Sequence, residues 1–116
     1  MTIEANPSEA SALDARIFVA GHKGMVGSAI VRCLRGLGYR NLLVADHADL
    51  DLVRQDDVQR YFRDHGIERV VLAAAKVGGI QANNTLPADF IYENLMIEAN
   101  VIQAAHASGV QRLLFL

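Results

Sequence analysis

The sequence predicts an α/β fold in which a doubly wound, parallel sheet carries helices on both faces. Short apolar runs rich in β-branched residues alternate with helical patterns along the 116 residues, and most of the links between them are short. Such alternation favours right-handed β–α–β units and therefore parallel strands. A glycine-rich segment follows the first apolar run, as in the Rossmann-like members of this fold class. The full Rossmann sheet has six strands, whereas this sequence contains only four strand-like runs. We therefore expect the sheet to be truncated after about four strands.

Composition narrows the class of protein. The chain is 52% hydrophobic and 21% charged, which is enough apolar material for one core and argues against disorder over most of its length. With 11 Lys and Arg against 13 Asp and Glu, the charge supports neither nucleic-acid binding nor binding to an anionic membrane. No apolar run approaches the ~18 residues of a membrane span. A single cysteine and a polar, acidic start without a secretory pattern predict a cytoplasmic protein.

The first half of the predicted sheet follows from two apolar runs and one helical pattern. Residues 16–20 form the first strand, which ends at Gly21. Apolar residues then recur at helical spacing over residues 25–37, and Gly38 is a suitable helix end. Residues 41–45 form the second strand. These elements make the first β–α–β unit.

A second helix and a third strand come next. Asp51 is a candidate N-cap for a helix over residues 52–65, and Gly66 is its expected end. The run at 69–75 is apolar throughout, which is typical of a strand buried on both faces.

The last helix and strand complete the pattern. Pro87 suits the first position of a long helix to about residue 108, and Gly109 ends it. A fourth strand is expected over residues 112–116. The apolar residues of the helix that we expect to carry its buried stripe are Phe90, Ile91, Leu95, Val101, Ile102 and Ala105.

The domain organisation follows from these elements. Residues 1–14 show no periodicity and are predicted to be a flexible leader. Residues 15–116 are predicted to be a partial dinucleotide-binding domain, because a fourth strand without flanking strands is an unusual end for a parallel sheet. We therefore expect the catalytic and substrate-binding part to be absent from this sequence.

The glycine-rich segment has the spacing G-x-x-G-x-x-G and falls between a strand and a helix. Small residues at these positions let the backbone turn sharply and approach a pyrophosphate, which then lies on the N-terminal N–H groups of the helix. A tight turn with no ligand is the alternative. The candidate cofactor-binding residues here are Gly21, His22, Lys23, Gly24, Met25, Val26 and Gly27.

Asp46 follows Gly27 by 19 residues and ends the second strand. An acidic residue near this spacing accepts hydrogen bonds from the adenosine ribose and favours NAD. A solvated turn aspartate is the alternative. Lys23 and His47 favour the 2′-phosphate of NADP instead, so the residues leave the preference open.

The third strand ends in small residues. Ala73 and Ala74, with Lys76 after them, would leave room for an adenosine–pyrophosphate across the carboxyl end of the strand, although close packing explains alanine equally well. Cys33 is expected to be an inert core residue. The four histidines lack the spacing of metal ligands, so no metal site is predicted.

Three segments together resemble one family. GHKGMVGSAI, LAAAKVGGIQANNTLPADFIYENL and GVQRLLFL are similar to the N-terminal part of the GDP-L-fucose synthases, which are extended short-chain dehydrogenases/reductases. The resemblance implies a homodimeric enzyme that epimerises C3 and C5 of GDP-4-keto-6-deoxy-D-mannose and reduces its C4 ketone with NADPH. It implies that residues 47–52, including Asp51 and Leu52, bind the adenosine end. It also implies that Asn94 contacts the substrate and that the loop 76–84 lies beside the nucleotide sugar.

The sequence departs from that family in two ways. Ala45, Asp46 and His47 stand where the family has R-T-H or R-T-R, which weakens the expectation of NADP and makes NAD possible. The serine, the tyrosine–lysine pair, and the cysteine and histidine that the family uses for catalysis would lie beyond Leu116. We therefore assign no catalytic residue and expect the chain alone to be inactive. The alternatives are another NAD-dependent sugar-nucleotide epimerase/dehydratase, a non-catalytic dinucleotide-binding module, and an inert remnant.

Overall fold

The structure is a computed structural model that describes residues 12–74 and 87–116. Within these residues, four parallel strands alternate with three helices, and the strands lie in the order β2-β1-β3-β4. The elements, in chain order, are β1 (Arg16–Ala20), α1 (Met25–Gly36), β2 (Asn41–Leu43), α2 (Gln55–His65), β3 (Arg69–Leu72), α3 (Pro87–Ala107) and β4 (Arg112–Phe115). The predicted fold class is confirmed.

The strand order creates a crevice beside β1. The chain passes from β1 to its neighbour β2, then crosses back over β1 to pair β3 on the other side, with Ala20 opposite Leu72. The winding direction therefore reverses between β1 and β3. In doubly wound sheets, ligands bind outside the carboxyl ends of the strands at such a reversal.

Side chains that alternate along β1 fill a separate core on each face of the sheet. Phe18 packs with Phe62 of α2 and Val101 of α3, and the two phenyl rings meet edge to face at 5.8 Å. Ile17 and Val19 pack on the opposite face with Val31 of α1. Full burial of an apolar side chain of this size contributes about 1.5–3 kcal/mol. Helices thus cover both faces, as the alternation predicts.

The observed element ends differ from the predicted ones where turns compete with regular structure. The helix expected from residue 52 begins at Gln55, because the Asp51 carboxylate accepts a hydrogen bond from the Val53 N–H (3.1 Å) and forms a turn instead of a cap. Strands β2 and β3 end at Leu43 and Leu72, short of residues 45 and 75. Gly66 ends α2 in the left-handed conformation (φ 56°), as predicted.

The buried stripe of α3 is only partly the predicted one, since Val101 and Ala105 are buried as expected. Ile91, Leu95 and Ile102 are 61%, 58% and 46% exposed, so their expected place in the core is wrong. The buried face consists of Ile97, Asn100, Val101, Ala104 and Ala105. The helix is apolar on more than one face, and its contacts with α2 and β3 decide which face is buried. Cys33 of α1 is likewise exposed instead of buried.

Some residues of the predicted leader contact the start of β2, where the Asp14 carbonyl oxygen accepts a hydrogen bond from the side-chain amide of Asn41 (2.7 Å). The Leu13 carbonyl accepts a hydrogen bond from the Arg40 N–H (3.1 Å), and the Asp14 carboxylate pairs with the Arg40 guanidinium. The proposed boundary after residue 14 stays a prediction, since residues 1–11 lie outside the described part. Neither α3 nor the shorter helices of the described residues combine the length and apolarity that a bilayer span needs.

Candidate functional site

A cleft of about 840 Å³ opens at the carboxyl ends of β1 and β3, where the winding direction reverses. Its size lies within the range of small-molecule and cofactor sites. The structure brings most of the predicted site residues to this cleft. Those that line it are Gly21, His22, Lys23, Gly24, Met25, Val26, Asp46, His47, Asp51, Leu52, Ala73 and Ala74.

Two glycines let the backbone segments around the cleft come together. Gly21 has φ 89°, and a Cβ there would lie 2.7 Å from the backbone nitrogen of Ala74. A Cβ on Gly27 would lie 1.9 Å from the carbonyl oxygen of Gly21. Gly21 thus allows the loop to touch the end of β3, and Gly27 allows α1 to pack against the loop. Gly27 itself is buried behind the cleft wall.

Gly24 has a different environment. Its backbone is extended (φ −73°, ψ 169°), and among the described residues a Cβ there would meet only the Gly21 carbonyl oxygen, at an ordinary contact distance of 3.5 Å. The fold therefore does not require glycine at this position. Gly24 is the N-cap of α1, no side chain within residues 12–74 and 87–116 caps the helix, and its first turn contains no acidic residue. The first-turn N–H groups and the positive end of the helix dipole are thus available to an anion in the cleft.

Charged side chains lie at the mouth of the cleft. The Lys23 ammonium is 3.0 Å from an Asp46 carboxylate oxygen, and the His22 Nε2 is 3.4 Å from the same oxygen. The hydrogen bond from Lys23 and the charge of Lys23 hold the pKa of Asp46 below its ordinary value, with a smaller contribution from His22. Asp46 is therefore a carboxylate at neutral pH and offers hydrogen-bond acceptors to the cleft.

One wall of the cleft is the segment between β2 and α2, which also carries Asp46. The His47 ring lies 3.9 Å from the Asp51 carboxylate, and the side chain of His47 is 85% exposed. Leu52 and Val53 form the apolar part of this wall. The wall therefore presents an exposed ring and a carboxylate beside an apolar surface.

Sequence reasoning missed the residue that holds this wall in place. The side-chain amide of Asn100, which is 5% exposed, donates hydrogen bonds to the carbonyl oxygens of Leu52 (2.9 Å) and Val53 (3.0 Å). Glu93 and Ile97 of α3 also line the cleft. The sequence contained one signal for Asn100, a polar amide within an apolar helical stretch, but none for its partners.

Gly27 and Asn94 are predicted site residues that do not line the cleft. Asn94 is half-buried on α3, next to Glu93. Lys76, like the rest of the 76–84 loop, lies outside the described residues. Within the described ranges, no group of three or more His, Cys, Asp and Glu side chains is arranged to hold a metal ion.

Comparison with known proteins agrees with this geometry. The model of the NAD dependent epimerase/dehydratase family matches residues 17–116, which include every strand and helix described above except the first residue of β1. The chain belongs to this family.

Comparison with individual relatives is more specific than the family match. The chain is 56% identical over 115 residues to GDP-L-fucose synthase 1 of Arabidopsis thaliana, covering 99% of the chain and 36% of that protein. It is 54% identical over 101 residues to the GDP-L-fucose synthase of Escherichia coli strain K12, covering 87% of the chain and 32% of that protein. The resemblance inferred from the motifs is thereby confirmed. The chain spans about a third of the length of these relatives.

Solved structures give the same result. The GDP-mannoheptose C4 reductase from Campylobacter jejuni, solved with NADP bound, superposes with a TM-score of 0.85 at 42% identity. The match covers 89% of this chain and 32% of that one. The Rossmann-like fold of the chain is therefore shared with nucleotide-sugar reductases.

Proposed function

We propose that the cleft binds NADP(H) and that this chain is the cofactor-binding part of a GDP-L-fucose synthase-like enzyme. The environment of Gly24 carries the proposal. A glycine that the fold does not need stands at the uncapped N-terminus of α1, inside a cleft at the sheet reversal. A side chain at this position would occupy the space in front of the helix N-terminus, where a pyrophosphate would bind.

The lining residues support a role for each part of the cleft. The segment from Gly21 to Gly27 would hold the pyrophosphate. Asp46, His47, Asp51 and Leu52 would surround the adenosine end, where Lys23 and His47 supply positive charge for a 2′-phosphate. Ala73, Ala74 and Lys76 would border the dinucleotide where it crosses the end of β3.

The proposed activity combines 3,5-epimerisation of GDP-4-keto-6-deoxy-D-mannose with reduction of its 4-keto group to give GDP-L-fucose. The cofactor, when bound, supplies the hydride for that reduction. Asn94 is proposed to contact the nucleotide sugar from α3. The 54–56% identity to GDP-L-fucose synthases supports this substrate. The 42% identity to a GDP-mannoheptose C4 reductase favours, as a second candidate, a 4-keto reductase of another GDP-sugar.

Binding to the chain itself tests the cofactor proposal. NADP⁺ is expected to bind in isothermal titration calorimetry, and Gly24→Ala is expected to weaken binding by at least about tenfold, because its methyl group would block a charged contact. Gly36→Ala is the matched control, since a Cβ at the C-terminal end of the same helix meets nothing within 4 Å in the part of the chain that the structure describes. Equal affinity of Gly24→Ala and the unsubstituted chain would refute the proposal.

A hybrid enzyme tests the reaction, because the chain alone is expected to bind without turnover. Residues 16–116 would replace the matching segment of the Escherichia coli relative. The hybrid is expected to oxidise NADPH with GDP-4-keto-6-deoxy-D-mannose, and Gly24→Ala is expected to abolish this oxidation. A folded hybrid that binds NADPH but reduces only a different GDP-keto-sugar would favour the second candidate.

We also propose that the complete enzyme is a cytoplasmic homodimer. The single cysteine is consistent with a reducing compartment. Exposed Ile91, Leu95 and Ile102 form an apolar stripe on α3 that a second copy could cover. Light scattering is expected to give twice the hybrid's chain mass, and Leu95→Glu is expected to lower it. A mass unaffected by Leu95→Glu would remove the stripe from the dimer contact.

A further inference from the structure

We propose that Asp46 competes with the 2′-phosphate of NADP for Lys23, so that the cleft also accepts NAD and discriminates weakly between the two dinucleotides. This inference rests on the proposed function, since it concerns the adenosine end of the dinucleotide in the same cleft. Its evidence is the placement of one carboxylate and one ammonium group.

Asp46 is in the position where a carboxylate meets an adenosine ribose. It follows β2, which lies directly beside β1, and it lines the cleft together with the glycine loop that follows β1. Its side chain is 47% exposed. In doubly wound folds, an acidic residue at this place accepts hydrogen bonds from the ribose hydroxyls. The 2′-phosphate of NADP would therefore come close to the Asp46 carboxylate.

The Asp46 carboxylate stands on a fixed turn, whereas its partner can move. The Asp46 carbonyl oxygen accepts hydrogen bonds from the Asp49 and Leu50 N–H groups, each 2.9 Å long. The Lys23 ammonium, 3.0 Å from the carboxylate, is on a flexible stem, and its side chain is 74% exposed. Lys23 can thus turn towards a phosphate, but Asp46 remains beside the ribose.

The two dinucleotides meet these charges differently. With NAD, the ribose 2′-hydroxyl donates to Asp46 and Lys23 remains paired. With NADP, Lys23 must be shared between the carboxylate and the phosphate, and the two anions repel each other. His47 can add positive charge, but it also lies within 3.9 Å of the Asp51 carboxylate. NAD therefore gains a hydrogen bond to Asp46, and NADP gains an ion pair with Lys23. Repulsion between the 2′-phosphate and the Asp46 carboxylate offsets part of the gain for NADP.

Calorimetric dissociation constants for NADP⁺ and NAD⁺ test the inference. The unsubstituted chain is expected to bind both within about tenfold of each other. Asp46→Asn should tighten NADP⁺ and weaken NAD⁺, which changes the ratio in favour of NADP⁺ by about tenfold or more. Lys23→Gln should change the ratio in the opposite direction. The effect of Lys23→Gln on NADP⁺ should be larger when Asp46→Asn is also present, because Lys23 is then released from its partner.

Asp49→Asn is the matched control. It removes the same charge from the same turn, three residues away, and Asp49 does not line this cleft. Circular dichroism checks that each variant is folded. If Asp46→Asn changes the ratio no more than Asp49→Asn, or if NAD⁺ binds over a hundredfold more weakly than NADP⁺, this inference alone is overturned. Failure of the unsubstituted, folded chain to bind either dinucleotide overturns the proposed function as well.

Discussion

The side-chain amide of Asn100 lies 2.9 Å from the carbonyl oxygen of Leu52, 48 residues earlier in the chain, and donates a hydrogen bond to it. The same amide nitrogen donates to the carbonyl of Val53. Because Leu52 and Val53 line the cleft, this contact ties one wall of the site to the core face of α3.

Replacement of Asn100 by leucine is therefore expected to reduce both stability and dinucleotide affinity. Two carbonyl groups lose a buried donor, which costs about 1–3 kcal/mol of unfolding free energy. Urea denaturation monitored by circular dichroism measures this change. Gln103→Ala is the control, since the Gln103 side chain on α3 accepts a hydrogen bond from Gln59 of α2 in an exposed position, and its loss should cost less than about 0.5 kcal/mol. Equal losses for both variants would show that Asn100 does not anchor the wall.

Two glycines of the same loop are expected to differ in how strongly alanine destabilises the fold. Gly27→Ala places a methyl group 1.9 Å from the Gly21 carbonyl oxygen and should destabilise the fold by about 3 kcal/mol or more. Gly24→Ala has an ordinary contact at 3.5 Å and should cost no more than about 1 kcal/mol, the loss expected from alanine being a poorer N-cap than glycine. Thermal unfolding compares them. A stable Gly27→Ala variant would mean that α1 does not pack as closely on the loop as described.

The Asp46 carboxylate is expected to titrate below its ordinary range because the Lys23 ammonium donates to it and attracts it. Carbon-13 NMR of the carboxyl carbon measures the pKa directly. Lys23→Met should raise the pKa of Asp46, whereas Lys23→Arg, which keeps the charge, should leave it depressed.

The sign of the linked stability follows from the depressed pKa. The ion pair stabilises the folded chain above the pKa that Asp46 has when unfolded, and this contribution is lost as pH falls through the lower pKa of the folded state. Lys23→Met should therefore have a weaker acid dependence of its unfolding free energy than the unsubstituted chain. An unchanged pKa in Lys23→Met would contradict the ion pair.

Cys33 is expected to react with a thiol reagent in the native state, since its side chain is exposed on α1. Ellman's reagent should modify it at a rate comparable with that of the urea-unfolded chain. Cys33→Ser serves as the blank. Reaction only under denaturing conditions would show that the Cys33 side chain is buried in the native chain, as the sequence predicted.

Local sequence signals were sufficient for the elements that have local causes. Gly66 ends α2 in the left-handed conformation that glycine adopts without strain, and the run at Arg16–Ala20 forms the first strand. The loop, Asp46 and Ala73 line one cleft because the carboxyl ends of parallel strands share one edge of the sheet, and their role in cofactor binding stays a prediction. The prediction of Asp51 as a helix N-cap was wrong because aspartate stabilises both caps and turns. Here its carboxylate accepts a hydrogen bond from the Val53 N–H within a turn.

The sequence by itself determined the alternation of strands and helices, the parallel sheet, the position of the glycine-rich segment and the family resemblance. These depend on periodicity, turn residues and motif spacing, all of which act over short stretches of chain. Tertiary structure alone decided which face of α3 is buried, which backbone carbonyls Asn100 holds and which cation pairs with Asp46. These three features depend on groups that are distant in sequence and adjacent only in the folded chain. Local sequence patterns therefore do not predict them.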